Sequence, residues 1–209
     1  YSKSWEGKNN TILINDVRYS PAGVLAPIQR SDLAFTMHML YHLSETGTCA
    51  IVEFPGVLYR GGAEKKIREY LIKNNFVDTV IQLPANLFFG VSIATCIIVI
   101  KKNKKDNNIL FVDASEECEK KGDKNKLEDK NQNRIVNAYQ ERKEEQYFTK
   151  LVSNDEVLAN GANLSVSSYV EKEDKREVID IVKLNEEIQT LQSEIFTLNT
   201  EIANKIASL

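Results

Sequence analysis

Two histidines, His38 and His42, stand four residues apart in a segment that reads as helix, so their rings share a face and could share a zinc ion. The metalloprotease pattern requires a glutamate directly after the first histidine, and Met39 stands there. No third ligand lies at metal-site spacing, so the pair reads as ordinary packing and no metal site is assigned. Arg60-Gly61-Gly62 is the next candidate, as a cradle for a phosphate. A phosphate loop needs more glycines and a lysine-hydroxyl pair, which makes a hinge into the following helix the simpler use. The start of that helix leaves room for a modest preference for anions. No Gly-x-Gly occurs among the nine glycines, so the glycine-rich first turn that holds a nucleotide-like cofactor is missing. No Ser-His-Asp, Cys-His or paired-carboxylate spacing stands out either. From the residues alone the chain reads as an α/β module with an assembly helix.

The elements that must position any site follow from periodicity. Ser31-Asp32 opens a helix over Leu33–Ser44 that is apolar almost all round and should be largely buried, with Gly47 as its stop. Cys49–Phe54 reads as a strand closed by Pro55, and Ala63–Lys73 as a second helix with Ile67, Tyr70 and Leu71 on one face. Val77–Leu83 is a strand closed by Pro84, and Ala94–Lys101 is the most strand-like stretch of the chain. Alternating helices and strands predict a parallel α/β sheet. The loop from Pro84 to Ile93 is too short for a helical crossover, so the strand after it should run antiparallel. Ile109–Asp113 is expected to pair with that strand. Residues 114–134 carry almost nothing to bury and read as a mobile polar loop. Ile135–Gln146 reads as an exposed helix, and 147–175 as an irregular bridge.

The tail repeats every seven residues. Ile181, Ile188, Ile195, Ile202 and Leu209 form one row, and Leu184, Leu191 and Leu198 the second, which Lys205 interrupts. Isoleucine at a and leucine at d over about four heptads predict a coiled-coil seam, the alternative being an amphipathic helix packed on its own domain. The g positions Asp180, Glu187, Glu194 and Glu201 are acidic, and the e positions Asn185, Gln192 and Asn199 are neutral. Self-association would leave the acids unrewarded, so a partner helix bearing lysine or arginine fits better.

Composition bounds the rest. The net charge of −3 argues against this chain gripping DNA alone by neutralising phosphates. The longest apolar run, Ala94–Ile100, is too short to span a bilayer, and with no basic stretch followed by an apolar segment at Tyr1 onward, secretion is not expected. The scattered cysteines Cys49, Cys96 and Cys118 suit a reducing, cytoplasmic setting.

Several ordered blocks closely resemble those of the modification (methyltransferase) subunits of type I restriction-modification systems. They are Phe54–Glu64 (FPGVLYRGGAE), Leu83–Gly90 (LPANLFFG), Ala94–Ile97 (ATCI), and Asn163-Leu164-Ser165 ahead of Tyr169-Val170. The resemblance covers most of residues 1–175. It implies the C-terminal part of a doubly wound, Rossmann-like methyltransferase sheet with a final antiparallel strand. The implied activity is transfer of a methyl group from S-adenosylmethionine to adenine N6 in double-stranded DNA whose target base is flipped out. The implied partners are a specificity subunit, reached through the tail helix, and a restriction subunit. Domain boundaries follow: 1–113 for the catalytic half, 114–134 for the polar loop, 135–175 for the helix and bridge, and 176–209 for the coiled-coil helix.

In that family the catalytic Asn-Pro-Pro-aromatic motif is often followed by Ser-x-x-Trp, and Tyr1-Ser2-Lys3-Ser4-Trp5 fits its end. Tyr1 is then the catalytic aromatic, with Asn-Pro-Pro expected just ahead of it. A second aromatic stacks on the flipped base from the loop before the last hairpin strand. Phe89 falls there, with Phe88 as the fallback and core packing as the alternative for either. The donor-binding turn lies further upstream in the family, so no donor is expected on this chain and activity alone is not expected. In methyltransferases the strand at Cys49–Phe54 lies beside one that precedes Asn-Pro-Pro. Its outer edge is therefore expected unpaired, or covered by another copy or an unusual segment. A non-catalytic assembly module that docks a partner through its coiled coil is the alternative function.

Overall fold

The computed structural model describes residues 4–7, 10–173 and 180–208, which divide into two compact units, Tyr1–Lys172 and Glu173–Leu209. In the first unit, Asn10 caps the single turn α1 (Thr11–Ile14) by accepting from the Ile12 and Leu13 amides. Helix α2 (Asp32–His42) follows, then β1 (Thr48–Glu53), α3 (Ala63–Lys73), β2 (Val77–Gln82), β3 (Cys96–Lys101) and β4 (Asn108–Asp113). A hairpin of β5 (Glu119–Lys121) and β6 (Lys124–Lys126), α4 (Asp129–Glu141), β7 (Thr149–Ser153) and α5 (Asn154–Ala159) complete it.

Five strands form one sheet in the order β1-β3-β2-β4-β7. β3 runs antiparallel to both β1 and β2, as the short loop before it requires. β1 and β2 thus run parallel with β3 inserted between them, joined by α3. Only the β2–β4 pairing is parallel among neighbours, so the sheet is mixed, with β7 as a second antiparallel strand beyond the one expected. The pairing expected between Ile109–Asp113 and β3 is not made: β4 lies on the far side of β2. β3 has already used both of its edges on β1 and β2, which leaves β2's other edge for β4.

Along β4 the side chains alternate between two cores. Ile109 and Phe111 join the larger cluster, formed with α2, α3 and α5, and Leu110 and Val112 join the smaller one with Ile135 of α4. Burial on both faces explains why β3 and β4 read as near-continuous apolar runs. β1 differs. It is an edge strand whose Cys49, Ile51 and Glu53 face the large core while Thr48, Ala50 and Val52 face outward. Its outer edge is unpaired among the described residues, as expected of this strand.

α2 is less enclosed than expected, since Phe35 and Tyr41 are exposed; its buried face is Leu33, Ala34, Thr36, Met37 and Leu40. The polar segment 114–134 contains the β5–β6 hairpin and the first turns of α4. Gly122 at φ +62° opens the two-residue turn, and Leu127 packs into the smaller core. α4 starts earlier than expected because Glu128 and Asn131 form a capping box. Within the segment read as an irregular bridge, β7 pairs with β4 and buries Thr149 and Val152.

The second unit contains α6 (Ile181–Ala207), capped by Asp180, whose carboxylate accepts from the Val182 and Lys183 amides. None of its side chains is buried. Among the described residues no helix is long and apolar enough to cross a membrane.

Candidate functional site

The loop between β2 and β3 starts at the C-terminal end of β2, the edge of an α/β sheet where ligands bind. Its base is closed by the Leu83 amide donating to Thr95 O at 2.9 Å, and by the Gln82 side-chain amide, which donates to Leu83 O and Thr95 O. Leu83 and Leu87 reach down into the smaller core. Phe89, by contrast, is 99% exposed and Phe88 39%. Among the described residues Phe89 therefore packs into neither core, and Phe88 is only partly covered. Asn86 and Gly90 take positive φ values of 56° and 71°, which gives the loop its sharp bends.

The hairpin braces this loop from outside. Asn125 donates from its side-chain amide to Ala85 O at 2.9 Å and from its backbone to Asn86 O at 3.1 Å. Lys124 Nζ donates to Phe88 O at 3.3 Å. The sequence held one signal for this hairpin, the Gly-Asp pair between two short polar runs, but no apolar alternation marked its strands.

At the C-terminal end of β1 lies Glu53, a residue that motif reasoning passed over. It is 2% exposed and accepts from Thr36 Oγ1 at 2.9 Å. Burial pushes its carboxyl up to about 7 despite the Thr36 hydrogen bond, and the nearby Asp32 pushes the same way. A lone acid in the apolar run CAIVEF was the available signal. Cys96 pairs with Glu53 in the sheet and is likewise buried, as Cys49 is, so both thiols act as small core hydrophobes.

The Arg60-Gly61-Gly62 segment is the expected hinge: Gly62, at φ +68°, leads into α3. Its arginine is committed to the buried Glu64, 3.6 Å away, and lies over the Phe54 ring. Arg30 approaches Glu64 from outside at 3.5 Å. Arg68, fully buried, donates to Ala162 O and Val57 O, and burial lowers it to about 10 against the attraction of Glu64. The first turn of α3 thus carries a buried carboxylate, Glu64, that already pairs with Arg60 and Arg30. His38 and His42 have ring centroids 4.6 Å apart, and Arg18 Nη1 stands 3.3 Å from His38 Nδ1. A guanidinium in that place disfavours a metal cation.

Tyr1, expected as the catalytic aromatic, lies outside the described residues, so the cleft expected between it and Phe89 lies outside them too. The nearby Trp5 is described: its indole donates to Pro27 O at 3.0 Å and its ring meets Tyr19 edge-on. In α6 the seam residues Ile181, Leu184, Ile188, Leu191, Ile195, Leu198 and Ile202 are all between 44% and 70% exposed. Leu209 lies outside the described residues.

Residues 1–178 match the N-6 DNA methylase family. Over its whole length the chain is 45% identical to part of the type I restriction enzyme MpnII methylase subunit of Mycoplasma pneumoniae, covering 39% of it. Over 81% of its length it is 34% identical to the type I restriction enzyme MjaVII methylase subunit of Methanocaldococcus jannaschii, covering 30% of that protein. The crystal structure of a type I restriction-modification methyltransferase subunit from Streptococcus thermophilus superposes with a TM-score of 0.79 at 41% identity. That match takes in 82% of this chain and 36% of the other. The chain therefore spans well under half the length of each of these relatives.

Proposed function

This chain belongs to the N-6 DNA methylase family, and from that premise we propose that it forms the target-base side of a type I adenine-N6 DNA methyltransferase subunit. The observation that carries the reading is Phe89, a fully exposed ring on a loop whose backbone is held at both its base and its flank. Exposing a phenylalanine forgoes about 1.5–3 kcal/mol of burial, and at 99% Phe89 is the most exposed large apolar residue among the described residues. An adenine taken out of the duplex loses its stacking, and an aromatic face restores it. Phe89 supplies that face, with Phe88 beside it.

The methyl group comes from S-adenosylmethionine, held elsewhere in the complete subunit. The described residues do not fit that donor: the one adjacent glycine pair leads into α3, whose start is taken by Glu64. What this chain contributes is the sheet that sets the loop and the stacking surface on it. The doubly wound methyltransferase sheet is completed along β1, whose open edge and bare outer face suit a further strand and its covering layer. Tyr1 ends the motif that holds the adenine amino group.

α6 docks a partner. Its exposed isoleucine and leucine rows, with acids at Glu187, Glu194 and Glu201, suit a helix of the specificity subunit that carries basic residues. Double-stranded DNA is then gripped by the assembly, with the restriction subunit as its third component, in the cytoplasm. Pairing of the chain with itself through α6 is a substitute for that contact. The rival reading, a docking module without chemistry, rests on α6 alone and leaves the exposed Phe89 without a use.

The deciding experiment replaces Phe89 in the complete subunit bound to its specificity partner. Phe89→Ala is expected to slow methylation and Phe89→Trp to retain it, with melting unchanged. An alanine variant that methylates at the parent rate, or one that unfolds, removes the reading.

A further inference from the structure

The loop bearing Phe88 and Phe89 bends at Asn86, a non-glycine residue in the left-handed region at φ +56°. A residue with a Cβ holds that conformation at a cost, so surrounding contacts must over-determine it. Besides the packing of Leu87 in the smaller core, those contacts come from one strand. Asn125 of β6 pinches two consecutive loop carbonyls: its side-chain amide reaches Ala85 O at 2.9 Å and its backbone amide reaches Asn86 O at 3.1 Å. The neighbouring Lys124 ammonium takes Phe88 O at 3.3 Å. The hairpin is itself anchored. Leu127 packs into the same core as Leu87, Lys121 and Lys126 pair with Glu128 at the start of α4, and Lys130 of α4 pairs with Glu119 of β5.

We propose that the β5–β6 hairpin is the positioning element of the aromatic loop, with Asn125 as the residue that fixes where the Phe89 ring stands for the target base. This deepens the reading given above and rests on it. The chemistry selects asparagine at this position. A short side chain with an amide donor reaches Ala85 O while its own backbone N–H serves Asn86 O, and glutamine, one methylene longer, keeps the donor but not the reach. Aspartate would turn an acceptor toward a carbonyl and repel it. Alanine would leave Ala85 O unpaired and Asn86 free to leave the left-handed region. Nothing in the hairpin touches the ring itself, so its effect on methyl transfer passes through the loop backbone.

The test uses the complete subunit with its specificity partner and four variants: Asn125→Ala, Asn125→Asp, Asn125→Gln and Phe89→Ala. Hydrogen exchange on a peptide spanning 84–92 reads loop order, and single-turnover methylation reads the chemical step. Duplex affinity and melting temperature serve as controls. Asn125→Ala should raise exchange in 84–92 alone and slow the single-turnover rate at least fivefold, with affinity and melting unchanged. Asn125→Asp should be slower still, and Asn125→Gln, which keeps an amide donor, should recover part of the rate. Unchanged loop exchange in Asn125→Ala, or a rate loss that only follows a fall in melting temperature, overturns the proposal. If Phe89→Ala is impaired while Asn125→Ala is not, the positioning role falls and the stacking reading stands. If Phe89→Ala keeps the full rate, the stacking reading has failed and the positioning role falls with it.

Discussion

Isoleucine is used in opposite ways in the two units. In the sheet, Ile98, Ile100 and Ile109 are buried to 2% exposure or less, whereas Ile181, Ile188, Ile195 and Ile202 of α6 stay at least 44% exposed. The inner strands of the first unit bury their apolar residues internally, because a sheet with helices on both faces gives each alternating side chain a core to enter. One helix has no opposing surface of its own, so a two-residue-wide apolar stripe stays bare until another helix meets it. The lesson is that apolar periodicity reports a need for burial but does not say who meets it. Within the first unit Phe89 departs furthest from that rule, at 99% exposed where its neighbours Leu83 and Leu87 go in.

The sharpest way to break this comparison is to truncate a residue on each side of it. Phe111 is fully buried and its ring stacks on Tyr169 at 4.3 Å between centroids. Phe111→Ala should destabilise the first unit by about 3–5 kcal/mol in denaturant titration. A loss under about 1 kcal/mol would mean that the large core is not what holds the sheet.

Glu53 tests the same core through its charge. Its folded carboxyl titrates near 7 against an ordinary 4.5, so the native state holds the proton more tightly. Stability should therefore fall as pH rises from about 4.5 to 7 and level off above, by about 1–3 kcal/mol in all. Glu53→Gln, which keeps the Thr36 contact without the charge, should flatten that slope. An unchanged slope in the variant would place the titrating group elsewhere.

Phe89→Ala should leave the unfolding free energy within about 0.5 kcal/mol of the parent, since nothing packs on the ring. It should slow methylation by the complete subunit by about 1–3 kcal/mol of lost stacking. Equal losses in stability and activity would return Phe89 to the packing role.

The smallest stability effect belongs to the tail. Leu191→Ala, at a position 58% exposed, should leave the melting of the first unit unchanged. It should nonetheless weaken association of residues 176–209 with basic helices of the specificity subunit, followed by circular dichroism. Tighter pairing of the parent tail with itself than with those helices would sink the heteromeric reading.

Much of the candidate site was legible only as position. The block Leu83–Gly90 placed two phenylalanines at the mouth of the β2–β3 connection, but burial was needed to separate Phe89 from Phe88 and from Leu87. The bracing by Asn125 joins residues about forty positions apart, through a hairpin whose polar strands lack the alternation that marks a buried strand. β7 escaped notice for a related reason: its five residues TKLVS bury only Thr149 and Val152, too few to set a period.

By itself the sequence determined α3 to the residue, the cores of α2, β2 and β3, the antiparallel return of β3, and the heptad rows of α6. These are consequences of local periodicity, capping and loop length, each decided within one element or one connection. Tertiary structure alone decided the strand order, with β3 slotted between β1 and β2 and β4 moved to the far side of β2. It also decided that Glu53 is sealed from water and that the hairpin lies against the aromatic loop. Backbone hydrogen bonding accepts any strand at an open edge, so local pattern leaves adjacency undetermined. Strand order emerges from which faces must be covered together, and that is a property of the whole chain.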